Sequence, residues 1–196
     1  MNKQNDYKPS EGEIYLEEFF SIVGIKCEPQ YKIFNLKNDS KQFRIADFYL
    51  PEHKVFVEFF GLWNNYGNEE YLHKKEVYRQ NKIPCIYIYP ENLGIIEFTF
   101  DKRIQMVLEK HNLKKELRSY KFFKFKKSPE LRDRLGYLGI AVAILLYTSF
   151  SKNLIRKEYL LIGVVAAIIV YQIYWLFQLY LDIFKRNKFS LINLLV

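Results

Sequence analysis

The stretch that decides the fold is FRIADFYLPEHKVFVEFFG, residues 43–61. Its two halves are rich in β-branched and aromatic residues, which favour strands. They flank Pro51-Glu52-His53-Lys54, a tetrapeptide with the composition of a tight turn. The pattern therefore predicts a β-hairpin with strands over residues 43–50 and 55–60.

Each strand of this hairpin carries one carboxylate in apolar surroundings. If Pro51 pairs with Lys54, the register places Asp47 directly opposite Glu58 on one face of the sheet. Two like charges in such a place are unfavourable unless one is protonated or a cation lies between them. A divalent cation with oxygen ligands, most simply Mg²⁺, removes the conflict. The alternatives are that a bulge or register slip separates the carboxylates, or that one of them pairs with Arg or Lys.

The segments around the hairpin predict further helices and strands. Ser10 and Glu13 form a capping-box pattern at the start of a helix that ends at Gly24. The other predicted elements are a strand over 31–36, a polar helix over 69–81, a strand over 85–89 and a helix from Asp101 to about Leu117. This order indicates an α/β fold with a mixed sheet flanked by helices.

Helical spacing places four residues of the polar helix on one side, namely Tyr71, Lys74, Lys75 and Tyr78. A lysine near a metal-bound water could orient that water or stabilise developing negative charge. Alternatively, the lysines form a solvated face and the tyrosines pack. The preceding loop contains Trp63, Asn64, Asn65 and Tyr66, which could stack on bases or merely fill the loop.

Taken together, these residues resemble the PD-(D/E)XK nuclease superfamily, in particular its small very-short-patch-repair and resolvase-like endonucleases. The similarity covers about residues 8–95. It includes Ser10-Glu11-Gly12-Glu13, Asp47 before Phe48-Tyr49-Leu50-Pro51, Glu58-Phe59-Phe60-Gly61, the helix with Tyr71, Lys74 and Tyr78, and Ile86-Tyr87-Ile88-Tyr89-Pro90-Glu91-Asn92-Leu93.

The resemblance implies a restriction-endonuclease-like core and hydrolysis of DNA phosphodiesters with Mg²⁺ or Mn²⁺. It implies that Asp47, Glu58 and the backbone carbonyl of Phe59 bind the metal. Phe60 replaces the usual lysine of the E-x-K element, and Lys74 takes that role, with Lys75 as the alternative. Glu13 would support the site or bind a second metal, or would serve only in the helix cap.

The charge of the chain is unevenly distributed. The net charge is +8 for 196 residues, but residues 1–101 carry 12 Lys and Arg against 16 Asp and Glu. Residues 102–134 carry 12 against 4. The basic excess therefore lies outside the predicted catalytic domain and indicates anionic lipid more than DNA. The two cysteines, Cys27 and Cys85, fit buried thiols in a reducing compartment.

Two uncharged runs follow the basic segment, with 17 residues over 135–151 and 23 residues over 159–181. Such lengths indicate a hairpin of two transmembrane helices over residues 135–184. Lys and Arg number nine in the segments that flank the two runs, 121–134 and 185–188, and three between the runs, which predicts that both termini are cytoplasmic. The last part, residues 185–196, is then a basic and apolar cytoplasmic tail.

The sequence therefore predicts a nuclease domain over 1–101, a basic juxtamembrane segment over 102–134 and a multi-pass anchor in the cytoplasmic membrane. The predicted partners are DNA and membrane lipid, with a homodimer as an option and no organic cofactor. One alternative function is a catalytically inactive DNA-binding or scaffold module. Another is a membrane interaction protein in which the carboxylate pair has no function.

Overall fold

A computed structural model describes residues 8–61, 68–150 and 156–185. The predicted loop residues Trp63, Asn64, Asn65 and Tyr66 lie outside this part of the chain, as do residues 186–196 of the predicted tail. The elements, in chain order, are α1 (Glu11–Val23), β1 (Glu28–Phe34), β2 (Phe43–Leu50), β3 (Val55–Phe59), α2 (Asn68–Gln80), β4 (Cys85–Ile88), a 3-10 helix (Pro90–Ile95), α3 (Ile96–Lys110), α4 (Lys114–Lys127), α5 (Pro129–Phe150) and α6 (Arg156–Lys185).

The four strands form one mixed sheet in the order β1-β2-β3-β4. Strand β2 is antiparallel to both of its neighbours, β1 and β3, and β4 runs parallel to β3. In the hairpin, Leu50 pairs with Val55 and Phe48 with Val57. This is the predicted register, and the α/β class with a mixed sheet is confirmed.

Successive residues of a strand point to opposite sides of the sheet. Helices cover both of these faces. On one face, Phe20 of α1 packs edge-on against Phe48 and Phe100, with ring centroids 5.5 and 5.4 Å apart. On the other face, α2 reaches Glu58 through Tyr78. Glu58 therefore lies beneath α2, inside the fold.

The first helix begins and ends where the sequence predicts. Ser10 and Glu13 form both hydrogen bonds of a capping box, and Gly24 closes the helix in the left-handed conformation with φ of 73°. Glycine suits this position because other residues are strained there.

The helix predicted from Asp101 to Leu117 is wrong at both ends. Helix α3 begins at Ile96, directly after the 3-10 helix, and its buried residues Ile96, Phe100, Ile104 and Leu108 recur every four positions. It ends at Lys110, and Asn112 follows with φ of 57°. A left-handed residue stops the helix, so the chain starts again as α4 at Lys114.

Two smaller differences concern β1 and the cysteines. Strand β1 starts at Glu28, three residues before the predicted start, and ends at Phe34, because it pairs along β2 from Tyr49 to Phe43. Cys85 is buried as predicted, but Cys27 is only partly buried.

The chain divides into two compact units, Met1–Arg118 and Ser119–Val196. The predicted border after residue 101 falls inside α3. In the second unit α5 and α6 contact each other. The Arg134 guanidinium donates a hydrogen bond to the Gln172 amide oxygen at 3.2 Å and lies 5.0 Å from the Trp175 ring.

Within the described parts of the chain, α6 is the one helix that is long and apolar enough to cross a bilayer. Its stretch Leu161–Phe184 has a mean hydropathy of 1.9, and 11% of the most apolar window is buried. Helix α5 does not qualify, because its first six residues carry four charges and leave a shorter apolar part. The described residues thus support one membrane-spanning helix and do not support the predicted multi-pass anchor.

Candidate active site

Asp47 and Glu58 lie on neighbouring strands where the regular pairing of β2 and β3 stops. The pairing ends at Phe48 and Val57, one residue before Asp47 and Glu58, and the charge of Glu58 contributes to the raised pKa of Asp47. The Asp47 carboxylate accepts a hydrogen bond from the backbone N–H of Phe59 at 2.6 Å. The side chain of Asp47 therefore binds the backbone of β3 next to Glu58. The pairs that form keep the predicted register without a slip. Of the alternatives, the pairing of one carboxylate with a lysine does occur, between Glu58 and Lys74.

Two side chains of α2 hold the carboxylate of Glu58. The Lys74 ammonium donates to one oxygen at 2.5 Å, and the Tyr78 hydroxyl donates to the other at 2.9 Å. Lys74 also donates to the carbonyl oxygen of Ile45 at 2.8 Å, so it links α2 to both β2 and β3. Glu58 is 1% exposed and Lys74 is 16% exposed, which makes this a largely desolvated ion pair.

Burial changes the ionisation of the carboxylate pair. It raises the pKa of Asp47 to about 8, and the negative charge of Glu58 adds to the effect while Lys74 opposes it. Burial also raises the pKa of Glu58, and the Lys74 charge opposes that rise most. The two carboxyl groups are close enough for each to influence the pKa of the other. Without a metal, the pair therefore retains a proton at neutral pH.

The other two residues on the predicted side of α2 have different surroundings. The ammonium of Lys75 lies 5.2 Å from the centre of the Tyr87 ring. The ring of Tyr71 stacks on Phe60, with centroids 4.3 Å apart. Of the two candidate lysines, Lys74 is thus the one that reaches the carboxylates, and Tyr71 packs.

Glu13 lies at the start of α1, and its carboxylate closes the helix cap. It accepts hydrogen bonds from the backbone N–H and the hydroxyl of Ser10, at 2.6 and 2.8 Å. Its charge also contributes, as the smallest of several effects, to the raised pKa of Asp47. Gly12 lies against the ring of Phe59, where a Cβ atom would collide. The capping role of Glu13 is therefore established, and its predicted role in the site stays a prediction.

The donor set of this site suits a hard divalent cation. The described residues contain no cluster of three or more His, Cys, Asp or Glu side chains. An ion here would therefore take the carboxylates of Asp47 and Glu58, with the Phe59 carbonyl and water as further ligands. Mg²⁺ is commonly held by one or two carboxylates and keeps several waters. A bound cation would place positive charge beside two neighbouring carboxyl groups, so the residues fit the metal that the sequence predicts.

A groove beside this site was not predicted. It has a volume of about 540 Å³ and is lined by residues 41–45 together with Glu70 and Lys74 of α2. The signal that could have revealed the groove is the alternation of exposure along β2. Phe43 and Ile45 keep some exposure, while Arg44 and Ala46 are buried. Because Lys74 lines the groove and contacts Glu58, the groove opens next to the carboxylate pair.

Comparisons of the chain with protein-family models, curated proteins and solved structures gave no match. The resemblance to the PD-(D/E)XK nucleases therefore rests on the residues themselves.

Proposed function

We propose that the chain is a membrane-anchored, metal-dependent endodeoxyribonuclease with a restriction-endonuclease-like core. The observation that carries this proposal is the convergence of Asp47, Glu58 and Lys74 from β2, β3 and α2. Burial raises the pKa of both carboxyl groups, and a divalent cation bound between them would favour their ionised forms. Groups whose pKa values are perturbed by burial and by a specific charge partner occur preferentially at functional sites.

Each residue has a separate task in the proposed hydrolysis. A bound Mg²⁺ would supply Lewis-acid polarisation of the phosphate and a water of lowered pKa. Asp47 and Glu58 would hold the ion, and the N–H of Phe59 keeps the Asp47 carboxylate in place. With Glu58 holding an ion, Lys74 would be available to orient the attacking water or to stabilise charge on the phosphate oxygens. Tyr78 remains protonated, because burial raises its pKa, and fixes Glu58.

The proposal is tested by incubating the purified full chain in detergent with supercoiled plasmid and Mg²⁺ or Mn²⁺. We expect cleavage by the wild type and a loss of at least about 100-fold for Asp47→Ala and for Glu58→Ala, since each removes a metal ligand. Glu97→Gln, at an exposed position of α3, is the matched control and should cleave normally. Absence of cleavage by the wild type with both metals, or equal cleavage by all four proteins, would overturn the proposal.

The inactive DNA-binding or scaffold module remains the second candidate, and Phe60 favours it. This residue stands where the resemblance places a catalytic lysine, and it is fully buried between Tyr71, Tyr87 and Tyr89. Under this alternative the full chain binds DNA but leaves it intact.

The proposed location is the cytoplasmic membrane, with α6 as an anchor. Helix α4 contributes lysines that favour anionic lipid headgroups, among them Lys124, Lys126 and Lys127 at its end. The finer topology, in which residues 135–151 also cross and both termini are cytoplasmic, belongs to the same proposal. A homodimer would let such an enzyme cut both strands, and its test is the mass of the detergent-solubilised particle.

A further inference from the structure

The groove beside Lys74 contains aromatic and amide side chains that have no role in the proposed cleavage. Phe43 of β2 lines it, and the neighbouring Phe34 of β1 is 57% exposed. Their ring centroids are 5.6 Å apart, because the two residues are direct partners in the sheet. We call Phe34 and Phe43 the aromatic shelf. Ile45 is 37% exposed and adds apolar surface, while the amide of Gln42 offers both a donor and an acceptor.

The cations around the groove are already paired with carboxylates. Lys41 contacts Glu70 at 2.7 Å, Arg44 contacts Asp39 at 2.6 Å, and Lys74 contacts Glu58 at 2.5 Å. Double-stranded DNA is bound mainly through many Lys and Arg contacts to phosphates. A groove in which each of these cations has a carboxylate partner offers little net charge for that mode. Its affinity must come largely from its apolar and aromatic surface.

Unpaired bases match this surface better than a duplex does. Every base has a flat face that can stack on an aromatic side chain, and such stacking contributes about 1–3 kcal/mol per base. In a duplex these faces are hidden by neighbouring base pairs. A volume of about 540 Å³ suits a single nucleotide, since pockets for small ligands measure about 300–1,000 Å³.

We propose that this groove binds an unpaired nucleotide adjacent to the phosphate that is cleaved, so that the substrate class is single-stranded or locally unpaired DNA. The base stacks on the aromatic shelf, and the Gln42 amide contacts the edge of the base. Lys32, whose ammonium lies 5.0 Å from the centre of the Phe43 ring, is placed to meet a phosphate. This inference rests on the proposed function and names its substrate.

Binding without cleavage tests the inference separately from catalysis. The full chain in detergent is titrated, in EDTA, into a fluorescent oligonucleotide, either single-stranded or annealed to its complement, and anisotropy is recorded. We expect the single strand to bind at least about tenfold more tightly than the duplex, because stacking supplies most of the affinity. Equal or stronger binding of the duplex, or no binding of either DNA, would overturn the inference.

Substitutions on the shelf locate the interaction. Phe43→Ala should weaken single-strand binding about tenfold, and Phe34→Ala should weaken it several-fold, whereas Phe43→Trp should retain it. Phe98→Ala is the matched control, since Phe98 is 60% exposed on α3 and has the Lys102 ammonium 4.7 Å from its ring centre. This control should bind like the wild type.

The outcomes separate the two proposals. Single-strand binding that depends on the shelf, in a protein that cuts no DNA, would contradict the nuclease function and support the nucleotide groove. Cleavage combined with unchanged binding by Phe43→Ala and Phe34→Ala would overturn the groove and leave the nuclease function standing. Because Phe34 is exposed, Phe34→Ala remains informative if Phe43→Ala fails to fold.

Discussion

At the scale of single residues, the carboxyl group of Asp47 connects stability to pH. Burial and the Glu58 charge raise its pKa to about 8, from an ordinary value of 3.8. The folded chain thus binds this proton more tightly than the unfolded chain does. Its stability should fall as the pH rises between these two values, because the folded state must then either hold the proton or accept a buried charge.

Thermal unfolding of the full chain in EDTA checks this expectation. Raising the pH from about 5 to about 9 should lower the free energy of unfolding of the wild type by more than about 1.4 kcal/mol. The change should appear as a lower midpoint temperature. Asp47→Asn, which cannot ionise, should show a smaller decrease. The same pH dependence in both proteins would contradict the assignment of the proton to this pair.

The hydroxyl of Tyr78 is the second residue whose role can be measured. Tyr78→Phe removes the hydrogen bond to one oxygen of the buried Glu58 carboxylate. We expect a loss of about 1.5–3 kcal/mol in the free energy of unfolding, since bonds to charged groups are of this size. Tyr71→Phe on the same helix is the control and should change stability less, because the Tyr71 ring that stacks on Phe60 is retained. Equal losses in the two variants, measured by denaturant unfolding, would contradict this role.

At the scale of elements, the hairpin was predictable in detail and the elements after β4 were not. A four-residue turn fixes the register of β2 and β3, so local sequence was sufficient to bring Asp47 and Glu58 to neighbouring positions on the two strands. The choice between Lys74 and Lys75 needed the position of α2 over the sheet, which helical spacing does not supply. The start of α3 depends on burial of Ile96 and Phe100, and the groove depends on how residues 41–45 meet α2.

The contact between α1 and β3 gives a prediction at this scale. Gly12→Ala would push a methyl group into the ring of Phe59, the residue that anchors Asp47 through its N–H. We expect a loss of about 1–3 kcal/mol in stability, typical of overpacking, and reduced cleavage at a temperature where the protein remains folded. Gly94→Ala has open space around the new methyl group and should change neither quantity. Equal behaviour of the two variants would show that α1 does not support the site.

At the scale of the whole molecule, the number of membrane crossings decides where the C-terminus lies. The sequence predicts two crossings, and within the described residues α6 alone meets the length and hydropathy of a span. The proposed topology places Val196 in the cytoplasm. A reporter fused after this residue should therefore be active only if it is of a kind that functions in the cytoplasm. Activity of a reporter that requires the opposite side would show a single crossing and contradict the hairpin.

The central claim is that Asp47, Glu58 and Lys74 form a metal-dependent hydrolytic site. The most direct test compares alanine substitutions of the adjacent lysines Lys74 and Lys75 in α2. Single-turnover cleavage of plasmid DNA with Mg²⁺ should fall at least about 100-fold in Lys74→Ala, which removes the ammonium beside Glu58. Lys75→Ala should retain near-normal cleavage, because that lysine lies over Tyr87. Equal cleavage by the two variants, or a larger loss in Lys75→Ala, would contradict the account.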